Sequence, residues 1–217
     1  MFLFAHWLRA TCGLALFTSS TLFAADISFV VRDQLGNPLS DAVIEQVAIK
    51  NNESTPLPVA VMDQVNKQFS PTVLIVQQGQ LVDFPNSDDI RHHVYSFSPA
   101  KVFDIKLYAG QPEKPEKFDT SGVVVLGCNI HDSMVGYIYV AKNHRATKTN
   151  HQGMATLNDV IYPLSLTIWH PNQVSDITFK QSLIVNQPPK KFYEVIVETV
   201  EPAPRNTFGE MFKVNNG

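Results

Sequence analysis

Cysteine is almost absent: the 217 residues hold two, Cys12 and Cys128. So low a count excludes a disulfide-stapled scaffold. Basic clusters are missing as well. Lys and Arg number 17 against 20 Asp and Glu, for a formal net charge of −3. A phosphate-binding surface needs clustered Lys and Arg, so nucleic-acid binding is excluded as a function class. There is no low-complexity tract and no long amphipathic helical pattern. One long apolar stretch exists, and it lies at the N-terminus.

That stretch runs from Leu14 to Phe23, with Arg9 before it and the small residues Ala24 and Ala25 after it. Residues 1–25 read as a secretory signal peptide, with an imperfect cleavage site because Leu22 and Phe23 stand where a small residue is preferred. Thr18, Ser19, Ser20 and Thr21 interrupt the run, which is short for a membrane span. The expected location is the periplasm, with no transmembrane segment after cleavage. Cys12 lies inside the leader, which argues against a lipid anchor. The mature chain then keeps Cys128 alone. A lone thiol in an oxidising compartment needs protection, which a metal bond or burial supplies equally well.

The mature chain reads as all-β. Short runs rich in Val, Ile, Phe and Tyr alternate with Gly, Pro, Asn and Asp clusters. Examples are Ile27–Arg32, Val73–Val76, Val123–Leu126, Tyr137–Val140, Ser165–Trp169 and Tyr193–Val197. Such spacing argues for sandwiches or barrels. Three zones stand out: residues 26–58, 59–141 and 142–200, followed by a polar tail, 201–217. Turns are expected at residues 34–38 and 150–153, and a second strand near 42–49. Residues 111–117, Gln-Pro-Glu-Lys-Pro-Glu-Lys, read as a solvated loop.

The chemistry concentrates in the middle zone. Gly127-Cys-Asn-Ile-His-Asp-Ser-Met-Val-Gly-Tyr-Ile-Tyr-Val140 carries Cys128, His131 and Met134 in Cys-x-x-His-x-x-Met spacing. The motif lies between two β runs, so its three side chains sit on one tight loop that folds them back to one point. Thiolate, imidazole and thioether form a soft donor set. With a second imidazole they suit copper, in a His-His-Cys plane with a weak axial Met. The second imidazole comes from His92 or His93. Neighbours on a strand face opposite sides, so only one of the pair reaches the site. His144, His151 and His170 read as surface or turn residues, His170 with the option of a partly buried hydrogen bond.

Phe69-x-Pro71, then Val76-x-x-Gly79-x-x-Val82-x-Phe84-x-Asn86, then His92-x-Val94, resembles the first half of plastocyanin and amicyanin domains of the cupredoxin family. The short Cys128 loop resembles that of amicyanin. The whole chain is also similar to proteins labelled methylamine utilisation proteins, a label that proves no role in amine oxidation. The cupredoxin resemblance spans about 59–141. It implies a Greek-key β-sandwich with one type 1 copper, held by His92, Cys128, His131 and Met134, and it selects His92 over His93. His93 stays in reserve, because the family often has Asn after the ligand His. It often has Thr or Ser after the Cys, where this chain has Asn129.

A second resemblance concerns the flanks. Val31-x-Asp33-x-x-Gly36-x-Pro38-Leu39-x-x-Ala42-Val43, together with 149–153 and 162–169, resembles the transthyretin-like sandwich of carboxypeptidase regulatory domains. It implies one sandwich built from 26–58 and 142–200, split by insertion of the copper domain.

The function these features imply is outer-sphere electron transfer, with a protein redox partner docking near His131. Four protein donors leave no open position for substrate, so catalysis at the metal is not expected. No His flanks Cys128 and no His-x-His pair supplies a multicopper cluster. The alternative is a non-redox copper carrier of the cell envelope.

Overall fold

The computed structural model describes residues 25–47, 57–142, 145–189 and 191–201. The expected leader, Cys12, the end of the second strand at 48–49, His144 and nearly all of the polar tail lie outside the described residues. Among the described residues every regular element is a strand. None is a helix long and apolar enough to cross a membrane.

The strands run β1 Ala25–Arg32, β2 Val43–Gln46, β3 Ala60–Val61, β4 Asp63–Val65, β5 Gln68–Ser70 and β6 Val73–Gln77. They continue as β7 Gln80–Asp83, β8 His92–Ser98, β9 Lys101–Tyr108, β10 Glu116–Phe118, β11 Gly122–Gly127 and β12 Val135–Ala141. The last are β13 Ala146–Lys148, β14 Met154–Val160, β15 Leu164–Trp169, β16 Gln181–Val185 and β17 Tyr193–Ile196. Each run named from the sequence falls on one of these. The turn at 150–153 closes with a Gly153 N–H donated to the Asn150 carbonyl at 2.9 Å. Glu116 and Lys117 depart from the expected loop: they begin β10 and pair with β7. Lys101 meets Glu116 at 2.7 Å there, so the charges that marked a loop hold a strand edge.

Period-2 alternation builds the outer strands. Ile27, Phe29 and Val31 of β1 point inward and are buried, while Ser28 faces out towards Thr156. The strand order β14-β1-β17 forms one sheet and β13-β2-β15-β16 another. Their facing side chains, including Phe29, Ile44, Leu157, Leu166, Ile168 and Val195, share one core. The first two strands of the chain therefore pair with late ones: Ile27 with Leu157, and Ile44 with Ile168.

Thr149 ties these strands together. Its buried hydroxyl donates to the Leu39 carbonyl at 2.6 Å and accepts the Ala42 N–H at 2.9 Å. Thr149→Val keeps the shape and removes both bonds. It is expected to cost about 1–3 kcal/mol, read as a lower urea midpoint at unchanged slope. An unchanged midpoint would show that this junction carries no stability.

Between those late and early strands lies a five-stranded sheet, β6-β12-β11-β8-β9, with β10-β7-β3 and the β4-β5 hairpin opposite. Phe69, Val82, Phe84, Val94, Phe118, Leu126 and Ile138 fill the space between. A third cluster joins the two halves: Val73, Val123, Tyr139 and Ala141 pack on Val43 and Trp169. Buried Glu45 anchors this junction. It accepts the Tyr139 hydroxyl and the Lys142 N–H, each at 2.7 Å, and meets Lys180 at 3.3 Å. Burial pushes the Lys180 amine below its ordinary value, although Glu45 works the other way.

Candidate metal centre

Strand alternation separates His92 from His93. On β8, His92, Val94 and Ser96 are buried, whereas His93, Tyr95 and Phe97 face the other side. His93 turns to Asp104, bonding its carboxylate, and packs at a tilt against Tyr95, with ring centroids 5.4 Å apart. His92 is fully buried and faces the loop that joins β11 to β12.

That loop makes two successive tight turns. The His131 N–H donates to the Cys128 carbonyl at 3.3 Å, and the Met134 N–H to the His131 carbonyl at 2.9 Å. Glycine flanks it on both sides because each strand lies directly on an aromatic side chain. A Cβ on Gly127 would meet the Tyr95 ring at 2.8 Å, and one on Gly136 would meet Phe69 at 2.7 Å.

The loop brings Cys128 and His131 to His92. Cys128 Sγ lies 3.8 Å from His92 Nδ1 and 3.7 Å from His131 Nδ1. The three ligand atoms lie within 4.8 Å of one another. A trigonal centre with metal–nitrogen bonds of about 2.0 Å and a metal–sulfur bond of about 2.3 Å sets nitrogen and sulfur about 3.7 Å apart. The residues therefore fit a metal ion. Met134 is 1% exposed and sits in the same core cluster as Cys128. His131 is the more accessible imidazole, with half-exposed Ile130 beside it. Burial, with His92 and Lys67 nearby, pushes the His131 imidazole below its ordinary value.

The motif, the strand alternation and the cupredoxin resemblance together point to these four residues, but none of them finds Asp88. Its Oδ2 accepts His92 Nε2–H at 2.7 Å. Burial works to raise the Asp88 carboxyl, yet bonds from the Lys67 N–H, His92 and the Asn66 N–H outweigh it and hold it below the usual carboxylate range. A weak sequence signal existed: Asp88 is four residues before His92 in the Asn86-Ser-Asp-Asp turn. Of the remaining histidines, His151 is exposed. His170 is buried; its Nε2 donates to the Ser40 carbonyl and its Nδ1 accepts the Asn172 N–H, both at 3.1 Å. That arrangement is structural.

No protein-family model and no curated protein matches the sequence. Among solved structures, the chain is similar to the Cu-containing nitrite reductase from Thermus scotoductus SA-01, at 26% identity and a TM-score of 0.37 over 46% of this chain. It spans only 26% of that reductase. It is similar to a purple cupredoxin from Nitrosopumilus maritimus at 23% identity and TM-score 0.34, covering 38% of this chain and 99% of that one. For a pseudoazurin from Methylobacterium extorquens AM1 the values are 23% identity and TM-score 0.34, over 40% of this chain and 77% of that one. The chain thus resembles solved cupredoxins, and part of a copper nitrite reductase, over less than half of its length.

Proposed function

We propose that this is an exported type 1 copper protein that passes single electrons, with copper held by His92, Cys128, His131 and Met134. The observation that carries the reading is the convergence of Cys128 Sγ on two imidazole Nδ1 atoms at 3.7 and 3.8 Å. A soft thiolate, two imidazoles and a nearby thioether are the donor set that copper prefers. Bound there, copper supplies a reversible one-electron couple.

The chain's own residues do the rest. Strand β8 and the 128–134 loop hold the donors in one arrangement, so little moves when the charge changes. His92 and Met134 are buried and exclude water from one side. The more accessible His131, beside Ile130, offers the surface on which a protein redox partner docks. With four protein donors no position is left for substrate, which favours a carrier over an enzyme. Burial of the donors also favours electron transfer over copper carriage, because releasing the ion requires the loop to open.

Residues 1–25 act in this reading as the export leader, and the site works in the periplasm. Residues 59–141 form the copper domain, inserted between 26–58 and 142–200 of a transthyretin-like sandwich. The pairing of β1 with β14 and of β2 with β15 supports that division.

The test is an optical spectrum during copper titration of the mature protein. One equivalent of Cu(II) is expected to produce an intense visible band that bleaches on reduction. Stoichiometric binding without such a band would overturn the type 1 reading and favour the copper carrier.

A further inference from the structure

Asp88 is held from two sides beside the site. Its side chain is 12% exposed and that of its partner His92 is 0%. The β4–β5 turn supplies two backbone donors. Asn66 N–H reaches Asp88 Oδ1 at 2.6 Å and Lys67 N–H reaches Oδ2 at 2.9 Å. Both turn residues adopt the left-handed conformation, with φ of 54° and 57°. Consecutive left-handed residues are the two-residue hairpin geometry, unfavourable for side chains other than Gly, Asn or Asp. Lys67 accepts that cost in a turn whose N–H groups converge on one carboxylate.

From the other side, Asp88 N–H donates to Asn86 Oδ1 at 3.1 Å. Asn86 Nδ2 is in turn fixed on the carbonyls of Ile90 and Tyr108, at 2.8 and 3.1 Å. The carboxylate thus has one position. His92 has two ring nitrogens, and in the neutral ring a proton on the one facing Asp88 leaves Nδ1 bare towards Cys128 Sγ.

We propose that Asp88 is the positioning residue of this centre: it locks His92 in the Nε2–H tautomer, and its negative charge favours the more highly charged state of the bound metal. The proposal rests on the copper reading above. A backbone carbonyl would satisfy the same N–H but would bring no full charge. A carboxylate partner strengthens the imidazole as a donor, and outer partners of this kind change metal affinity about 10–100-fold. His93–Asp104 is an internal contrast. It is the same pair of residue types one position along, but Asp104 is 54% exposed and its histidine faces away from Cys128.

The experiment compares Asp88→Asn and Asp88→Ala with Asp104→Asn as the control, each checked for folding by thermal unfolding. In copper-loaded protein, Asp88→Asn is expected to weaken Cu(II) binding about tenfold relative to Cu(I), which raises the one-electron potential by about 59 mV. Asp104→Asn is expected to leave it nearly unchanged. In metal-free protein, nitrogen NMR of the His92 ring is expected to show protonated Nε2 in the parent and a mixture of tautomers in Asp88→Ala. Equal shifts in Asp88→Asn and Asp104→Asn would overturn the specific role. So would a His92 ring protonated on Nδ1 in the metal-free parent, a result that stands even if the variants fail to fold. Failure of the copper reading is separate: the parent would then lack the visible band, while the tautomer still tests Asp88.

Discussion

Cys128→Ser is expected to be colourless with Cu(II), losing the whole visible band. On the proposed site the band arises from charge transfer between thiolate and copper, and Cys128 is the one thiol among the described residues. A serine hydroxyl is a hard donor that stays protonated near neutral pH. It leaves two imidazoles and a thioether, a weaker set for either copper state. The substitution removes little volume, and the buried hydroxyl costs about 1–3 kcal/mol, so the fold is expected to survive. Met134→Leu is the contrast. It conserves volume, costs under about 1.5 kcal/mol, and on the proposed site removes only the weak axial donor. The colour stays and the potential shifts. A band that survives Cys128→Ser would show that another residue carries the chromophore. A band lost equally in both variants would make Met134 a strong ligand and break the proposed geometry.

The largest expected loss of stability is that of Trp169→Ala. Trp169 is fully buried where the two halves of the molecule meet. Its ring packs on Tyr137 at 5.7 Å and on Tyr139 at 5.8 Å, and its Nε1–H donates to the Ile177 carbonyl at 2.8 Å. Truncation leaves a cavity in the cluster that Trp169 forms with Val43, Val73, Val123, Tyr139 and Ala141. Removal of a buried Trp costs about 3–5 kcal/mol. Urea unfolding of the metal-free protein, followed by far-UV circular dichroism, measures it. A cost below about 1 kcal/mol would mean that the junction is dispensable and that the halves fold without each other.

Much of this architecture was legible in the sequence, because the signals were local. Alternation in Ile27–Arg32 turns Ile27, Phe29 and Val31 inward, and the spacing of Cys128, His131 and Met134 needs only one loop. The choice between His92 and His93 follows from the period of a strand once its register is known. What stayed hidden depends on partners far along the chain. Asp88 is 21 residues from the Lys67 N–H that it accepts. Glu45 looks like an outward-facing acid of a short strand; its partners Tyr139 and Lys180 lie 94 and 135 residues away. His170 was ambiguous for the same reason, since Ser40 is 130 residues distant. Glu116 and Lys117 misled because Pro and charge density mark loops, although a short edge strand tolerates both.

Strand β1 has a temporal consequence. It lies at the centre of its sheet, between β14 and β17. Ser28 is separated by 128 residues from Thr156, which it faces. At synthesis rates of about 5–20 residues per second, β1 emerges on the order of ten seconds before the strand that covers its first edge. The parallel partner on its second edge, β17, comes later still. Through that interval Ile27, Phe29 and Val31 form an uncovered apolar row with both edges open, a template for pairing with another chain. The central strand of this sheet is thus the first made among the described strands and among the last to be protected.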